Sequence, residues 1–278
     1  MALITTDKFS GSAQAYTDTM QQAELTLESP DTTQAAADLH KVAKALASGE
    51  QPEGWEIVNS SGATRVAYSH SLNLYYKEFL SRSPLESIKA LVRGSRGTRA
   101  RLNSDRLVAA GFPAPANVAW GPLPGGSEYL FTRGANGKGV SQWLRNSVGQ
   151  DSRAALVQKR QLLSQLGIFI GHLHARGFIH GDLRASNIVA QASGNQFGFT
   201  LIDNECTTSH RSAPGKLILK NIMQLNMLLP ADITITDRWR FFNAWSDTME
   251  DYNVLEARVL GLEAYRWAMR RLAAKGKL

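Results

Sequence analysis

The stretch that most constrains this chain runs from Phe178 to Asn187 and reads F-I-H-G-D-L-R-A-S-N. Within it His180, Gly181 and Asp182 are followed by Leu183, and Asn187 stands five residues after the Asp. A carboxylate and an amide at that spacing suit a reaction in which a base takes the proton of an attacking hydroxyl. The amide meanwhile reaches a metal ion beside the phosphates. Base and metal ligand must serve two sides of one phosphoryl group, which is why they share a loop. The pair alone is common in polar loops, so the flanks matter. Leu162, Leu163, Leu166, Ile170 and Leu173 recur at helical spacing and predict a buried helix leading in, and Ile188-Val189 predicts a short strand leading out. A second acid, Asp203, ends another apolar strand in Leu201-Ile202-Asp203-Asn204-Glu205. Together these read as a phosphotransferase site.

At 278 residues the chain holds one two-lobed domain or two small ones. Hydrophobic content of 43% against 20% charged fits a soluble globular protein. The single cysteine, Cys206, excludes an internal disulfide framework and suits a reducing compartment. Met1 to Ser10 lacks the basic-then-apolar pattern of a secretory signal, and no apolar run reaches the roughly 18–20 residues of a membrane span. The six histidines do not cluster at metal-ligand spacing; His172 and His174 read as packing residues late in a helix. A net charge of +7 favours a polyanionic partner such as nucleic acid, an anionic membrane face or a phosphorylated glycolipid. Aromatics interleaved with basic residues are missing, so nucleic acid is not expected.

Residues 1 to 52 read as an N-terminal extension with one helix, carried by Leu39, Val42, Ala43 and Leu46 and stopped at Gly49. From Trp55 the pattern turns to strands. Trp55 to Val58, a small-residue turn containing Gly62, and Arg65 to Tyr68 form a hairpin, either an ordinary one or one whose backbone covers phosphates. Leu74 to Phe79 is an apolar strand with Lys77 inside it, placed before the catalytic loop where a cation contacts α- and β-phosphates. Residues 82 to 106 are strongly basic and run into a helix ending at Gly111: a solvated face, or a positive rim for an anionic acceptor. A kinase carries a Glu on this helix to pair with the strand Lys, yet Ala100 to Asn103 contain none; Glu86 and Asp105 are the nearest acids. Glu128 to Phe131 predicts the last strand before a glycine-bearing hinge. Residues 216–229, 237–247 and 253–274 predict helices anchored by Trp239, Trp245, Tyr252 and Trp267, the last ending in Arg266, Arg270, Arg271, Lys275 and Lys277. The boundaries expected are therefore 1–52 for the extension, 53–132 for a strand-rich N-lobe and 133–278 for a helical C-lobe.

Between Trp55 and Tyr252 the chain resembles the lipopolysaccharide core kinases, which phosphorylate Kdo or heptose and have a protein-kinase-like α+β fold of two lobes. The resemblance rests on Tyr76-Lys77-Glu78-Phe79, on Ala110-Gly111-Phe112-Pro113-Ala114-Pro115, on His180-Gly181-Asp182-Leu183 with Asn187, and on Leu201-Ile202-Asp203-Asn204. Its most family-specific part is Thr236-Asp237-Arg238-Trp239-Arg240-Phe241-Phe242. The chain departs from the family at Asn221-Ile222, where members often carry Asp-Leu, and in the missing helix Glu.

The resemblance implies ATP and Mg²⁺ as cofactors and a sugar or glycolipid acceptor from the lipopolysaccharide inner core. Asp182 would orient the acceptor hydroxyl and take its proton, and Asn187 and Asp203 would hold the metal. Lys77 and the Gly62 turn would bind the nucleotide, and Arg184 would contact the transferring group or form a structural ion pair. A cytoplasmic protein is expected, with the inner face of the cytoplasmic membrane as an optional peripheral surface. Two alternatives stay open: a small-molecule or protein kinase of the same fold, and a pseudokinase scaffold that binds nucleotide without transfer.

Overall fold

The computed structural model describes residues 30–80, 94–146 and 152–278, with the side chains of residues 30–35 outside that description. Expectations for residues 1–29, for Arg82, Lys89 and Arg93 in the basic stretch, and for Glu86 lie outside the described residues. Two compact units emerge, one built from the first helix and the large sheet, the other from the remaining elements.

In the first unit, α1 (Pro30–Ser48) presents Ala43 and Leu46 to the sheet. The sheet comprises β1 (Glu56–Val58), β2 (Thr64–Ser69), β3 (Leu74–Phe79), β4 (Asn117–Pro122) and β5 (Glu128–Arg133). Its order is β1-β2-β3-β5-β4, antiparallel throughout. Alternation along β3 sends Leu74, Tyr76 and Glu78 inward. Tyr76 and Phe131 meet there with ring centroids 5.3 Å apart, and Trp55 closes the same core. Glu78 is a buried acid in this core, satisfied by Arg65 Nη1 at 2.9 Å, Ser127 Oγ at 2.9 Å and the Tyr76 hydroxyl at 3.3 Å. α1 is thus part of a folded core rather than a free tail.

The second unit contains α2 (Arg96–Ala109), β6 (Lys138–Gly139), α3 (Val140–Asn146), α4 (Arg153–Ala175) and β7 (Phe178–Ile179). It continues through β8 (Ile188–Ser193), β9 (Gln196–Leu201), β10 (Thr208–Ser209), α5 (Gly215–Leu225), α6 (Ile235–Ser246) and α7 (Val254–Ala273). The five residues that predicted the leading helix, Leu162, Leu163, Leu166, Ile170 and Leu173, are all buried in its core. α4 and α6 approach closely because Gly167 and Gly171 leave no side chain between them. A Cβ on Gly167 would stand 2.3 Å from the Phe241 carbonyl oxygen. β6, β8 and β9 form a small antiparallel sheet, and β7 pairs with β10. The three expected C-terminal helices are present as α5, α6 and α7. One anchor fails: Trp239 is 41% exposed and meets the core ring of Phe242 edge-on, with centroids 5.8 Å apart. At 100° per residue it lies about 120° around α6 from the fully buried Trp245.

Candidate active site

The catalytic loop hangs between β7 and a single helical turn at Ala185–Asn187 that enters β8. Gly181 carries φ +79°, and a Cβ there would lie 2.4 Å from the Cys206 carbonyl oxygen and 2.8 Å from its Cβ, so only glycine lets the loop reach the turn after β9. His180 is fully buried, and its Nε2 bonds the Ile202 carbonyl at 2.9 Å. Burial pushes the imidazole below its ordinary pKa; the bond to Ile202 and the nearby charges of Asp182 and Asp203 oppose this. The neutral ring therefore donates from Nε2. The Ile202 amide donates in turn to the Asn187 carbonyl at 3.0 Å. Loop and Asp203 are thereby stitched together one residue before the acid.

Asp182 is partly exposed and surrounded by oriented donors. Arg184 Nε lies 2.9 Å from its Oδ1, Gln224 Nε2 reaches Oδ1 at 3.4 Å, and Asn187 Nδ2 reaches Oδ2 at 3.3 Å. Asn187 Nδ2 also donates to the Asp182 carbonyl at 2.9 Å, and its Oδ1 accepts from Ser186 Oγ at 3.3 Å. The ion pair to Asp182 is one of the two roles expected of Arg184. Asp203 adopts the left-handed conformation, φ 64° and ψ 46°, a strained geometry that an Asp tolerates better than most residues. An amide oxygen at Asn187 and a carboxylate at Asp203 are hard donors that suit Mg²⁺, which needs few protein ligands when phosphates supply the rest. Among the described residues, no three or more His, Cys, Asp or Glu gather where they could hold a metal ion.

Three features escaped sequence reasoning. The first is the anchoring of the Asp203 turn by α2. Arg96 Nη2 meets both carboxylate oxygens of Glu205 at 3.1 and 3.2 Å, Asn103 Nδ2 donates to the Asn204 carbonyl at 2.9 Å, and Asn204 Nδ2 donates to Ser104 Oγ at 3.0 Å. The helix that lacks a Glu at the expected positions thus carries an Arg, and the acid sits beside the candidate metal ligand. Asp105 pairs loosely with Arg101 at 3.9 Å on the same helix. The second and third are Asn221 and Gln224 of α5, which hold the catalytic loop from behind. Asn221 stood out only as a departure from Asp, and Gln224 gave no signal at all.

Lys77 and Gly62 belong to the first unit. Lys77 is half-buried in mid-β3, opposite Val66 and Leu130, with Nζ 5.2 Å from the Phe79 ring centroid. Gly62 lies in the β1–β2 turn, where an added Cβ would meet nothing within 4 Å. No steric demand therefore requires glycine there.

Residues 135–245 match the lipopolysaccharide kinase (Kdo/WaaP) family. The matched segment contains the whole loop, Asn187, Asp203 and the Thr236–Phe242 run, and is narrower than the stretch from Trp55 to Tyr252 that carried the resemblance. Curated relatives include the EKC/KEOPS complex subunit BUD32 of Coccidioides immitis (strain RS), 26% identical over 200 residues. That alignment spans 58% of this chain and 69% of the relative. The protein of the same name from Chaetomium globosum is 30% identical over 113 residues, 37% of this chain and 42% of the relative. A solved structure described as WaaP in complex with acyl carrier protein superposes with a TM-score of 0.54 at 16% identity, covering 83% of this chain and 95% of that one. That likeness establishes a kinase-like fold with a strand-rich N-terminal part and a helical C-terminal part. No helix among the described residues is long and apolar enough to cross a membrane. With the family match, the fold and the loop geometry in place, the chain is a phosphotransferase of the kinase type that over residues 135–245 is similar to the lipopolysaccharide kinases.

Proposed function

We propose that the chain transfers the γ-phosphoryl group of ATP to a sugar hydroxyl, on Kdo or heptose, of the lipopolysaccharide inner core. The observation that carries this reading is that the family match spans the very loop in which Asp182 and Asn187 are hydrogen-bonded to each other. Asp182 orients the acceptor hydroxyl and takes its proton as the acceptor oxygen bonds to the γ-phosphorus. The bridging β–γ bond breaks, and ADP leaves. Asn187 and Asp203 would hold Mg²⁺, which when bound would neutralise charge on the phosphate oxygens. Lys77 contacts the α- and β-phosphates, and the Gly62 turn covers them. Arg184 sets a positive charge beside the reacting groups while holding Asp182 in place.

The acceptor is anchored in a membrane, and α7 offers a surface suited to that. Leu255, Val259 and Leu262 share one face and are 71%, 61% and 44% exposed, and Arg266 and Arg270 continue the same face. An apolar turn followed by a basic one is the pattern of a helix that rests on anionic lipid. A cytoplasmic protein that touches the inner membrane face follows from this reading.

The similarity to BUD32, by name a subunit of a complex, favours a second reading in which a kinase of this fold acts on a protein within an assembly. The deciding assay offers Mg-ATP and unphosphorylated inner-core lipopolysaccharide to the wild type and to Asp182→Asn, and reads acceptor mass. A gain of one phosphoryl group is expected, reduced in the mutant by roughly 10²–10⁴-fold. Near-normal transfer by Asp182→Asn would remove the proposed base. Transfer to protein acceptors in place of lipopolysaccharide would establish the second reading.

A further inference from the structure

Behind the catalytic loop lies a buried line of side chains whose hydrogen bonds all run in one direction. Trp245 Nε1 can only donate, and it donates to His174 Nδ1 at 3.0 Å. That fixes the imidazole tautomer, so His174 Nε2 carries the proton and donates to Asn221 Oδ1 at 3.3 Å. Burial holds His174 neutral, with its pKa lowered to about 4. Asn221 Oδ1 also accepts the backbone amide of His180 at 3.1 Å. With its oxygen facing two donors, the Asn221 amide must turn Nδ2 towards Gln224, and it donates to Oε1 at 3.2 Å. Gln224 Oε1 takes a second bond from the Leu183 amide at 3.1 Å. Its nitrogen is then left pointing at the Gly181 carbonyl, 2.9 Å away, and at Asp182 Oδ1, 3.4 Å away. No amide in this line can flip without setting donor against donor or acceptor against acceptor.

We propose that Gln224 is a positioning residue for the Asp182 carboxylate, and that Asn221, His174 and Trp245 exist to orient it. This rests on the reading of Asp182 as the base. The proposal also accounts for the departure from the family at position 221. An Asp there would accept from His180 and His174 but would have nothing to donate to Gln224. The Gln amide would rotate to donate to the new carboxylate, and its oxygen would face the Gly181 carbonyl and the Asp182 carboxylate. Asn221 and Gln224 therefore form a matched pair, in which the amide at 221 supplies the donor that aims the amide at 224.

The test separates holding the loop from aiming the base. Gln224→Glu keeps an oxygen for the Leu183 amide and for Asn221 Nδ2 but loses the donors that face Gly181 and Asp182. Gln224→Leu loses both functions, and Gln224→Met stands in should Leu disturb folding. In the transfer assay, with melting temperature checked for each variant, Gln224→Glu and Asn221→Asp are each expected to lower kcat by about 10–100-fold while KM for Mg-ATP changes little. A Gln224→Glu enzyme with wild-type kcat would mean that Gln224 only braces the Leu183 amide, and the proposal would be wrong. Full activity in Asn221→Asp would equally overturn it, because the orienting donor would then be dispensable. A wild type that phosphorylates no hydroxyl acceptor would overturn the kinase reading itself, and the proposal with it, an outcome distinct from an active wild type with unaffected variants.

Discussion

Removing Arg96 tests whether α2 holds the candidate metal ligand in its strained conformation. Arg96 Nη2 contacts both oxygens of Glu205, and the two side chains are 9% and 19% exposed. Breaking a fully buried pair by deleting one partner costs about 3–5 kcal/mol; Glu205 can turn partly to water, so about 2–3 kcal/mol is expected for Arg96→Ala. Glu205→Gln keeps the shape and one acceptor, and should cost about 1–2 kcal/mol. If the contact is what couples them, the double variant should cost little more than Arg96→Ala alone, a coupling of about 1–2 kcal/mol. Asp203 lies two residues before Glu205 at φ 64°, a conformation that costs a non-glycine residue about 1–2 kcal/mol. Release of the turn lets Asp203 relax, and Mg-ATP affinity should then fall by roughly 5–30-fold. Urea unfolding of the four proteins gives the cycle, and calorimetric titration gives the affinity. Additivity within about 0.5 kcal/mol, or unchanged Mg-ATP affinity in a destabilised Arg96→Ala, would refute the argument.

Burial lowers His174 from 6.5 to about 4 and lowers His180 as well, so between these values the unfolded chain binds protons that the folded chain does not. Stability is then fully present above the unfolded pKa and is lost as pH falls from about 6.5 towards 4. His174 alone contributes on the order of 3 kcal/mol, and a wild-type unfolding free energy no steeper over that range than that of His174→Asn would contradict this. Asp203→Asn, which keeps a residue tolerant of the left-handed backbone, should weaken Mg-ATP binding by at least about tenfold, and equal affinity would take Asp203 out of the metal site. Replacing Leu255, Val259 and Leu262 by Ser should abolish sedimentation with anionic vesicles and leave transfer to a soluble acceptor fragment intact. Equal binding of wild type and variant would clear α7 of that role.

Much of the fold is legible in the sequence because its signals are local. The helix before the loop shows in the spacing of Leu162, Leu163, Leu166, Ile170 and Leu173, and all five are buried. β3 shows in the apolar run Leu74 to Phe79 around Lys77, although Glu78 within it gives no hint that three donors wait for it. Trp239 misleads because hydrophobicity alone does not specify burial. Only the angle around α6 separates it from Trp245, and that angle is readable once the buried face is known.

The candidate site divides along the same line. Asp182, Asn187 and Asp203 announce themselves because one reaction demands those residue types within a short stretch of chain. The groups that hold them do not, because support comes from wherever the fold delivers a donor or an acceptor. Gln224 reaches the loop across more than forty residues, and Arg96 meets Glu205 across 109. Neither pairing has a local signature, and a Gln three residues after an Asn on a helix is unremarkable until both are seen to face the same backbone. The missing Glu of the basic helix illustrates the point. A search for the expected acid at Ala100 to Asn103, the partner of the strand Lys, fails, whereas the same helix carries a cation, Arg96, that pairs with Glu205 of the Asp203 turn, a link no motif specifies. What the chemistry needs is the position of Asp203, and electrostatics allows either sign at either end. Motif reading specifies residue types, so it finds the groups that react and misses those whose only requirement is complementarity.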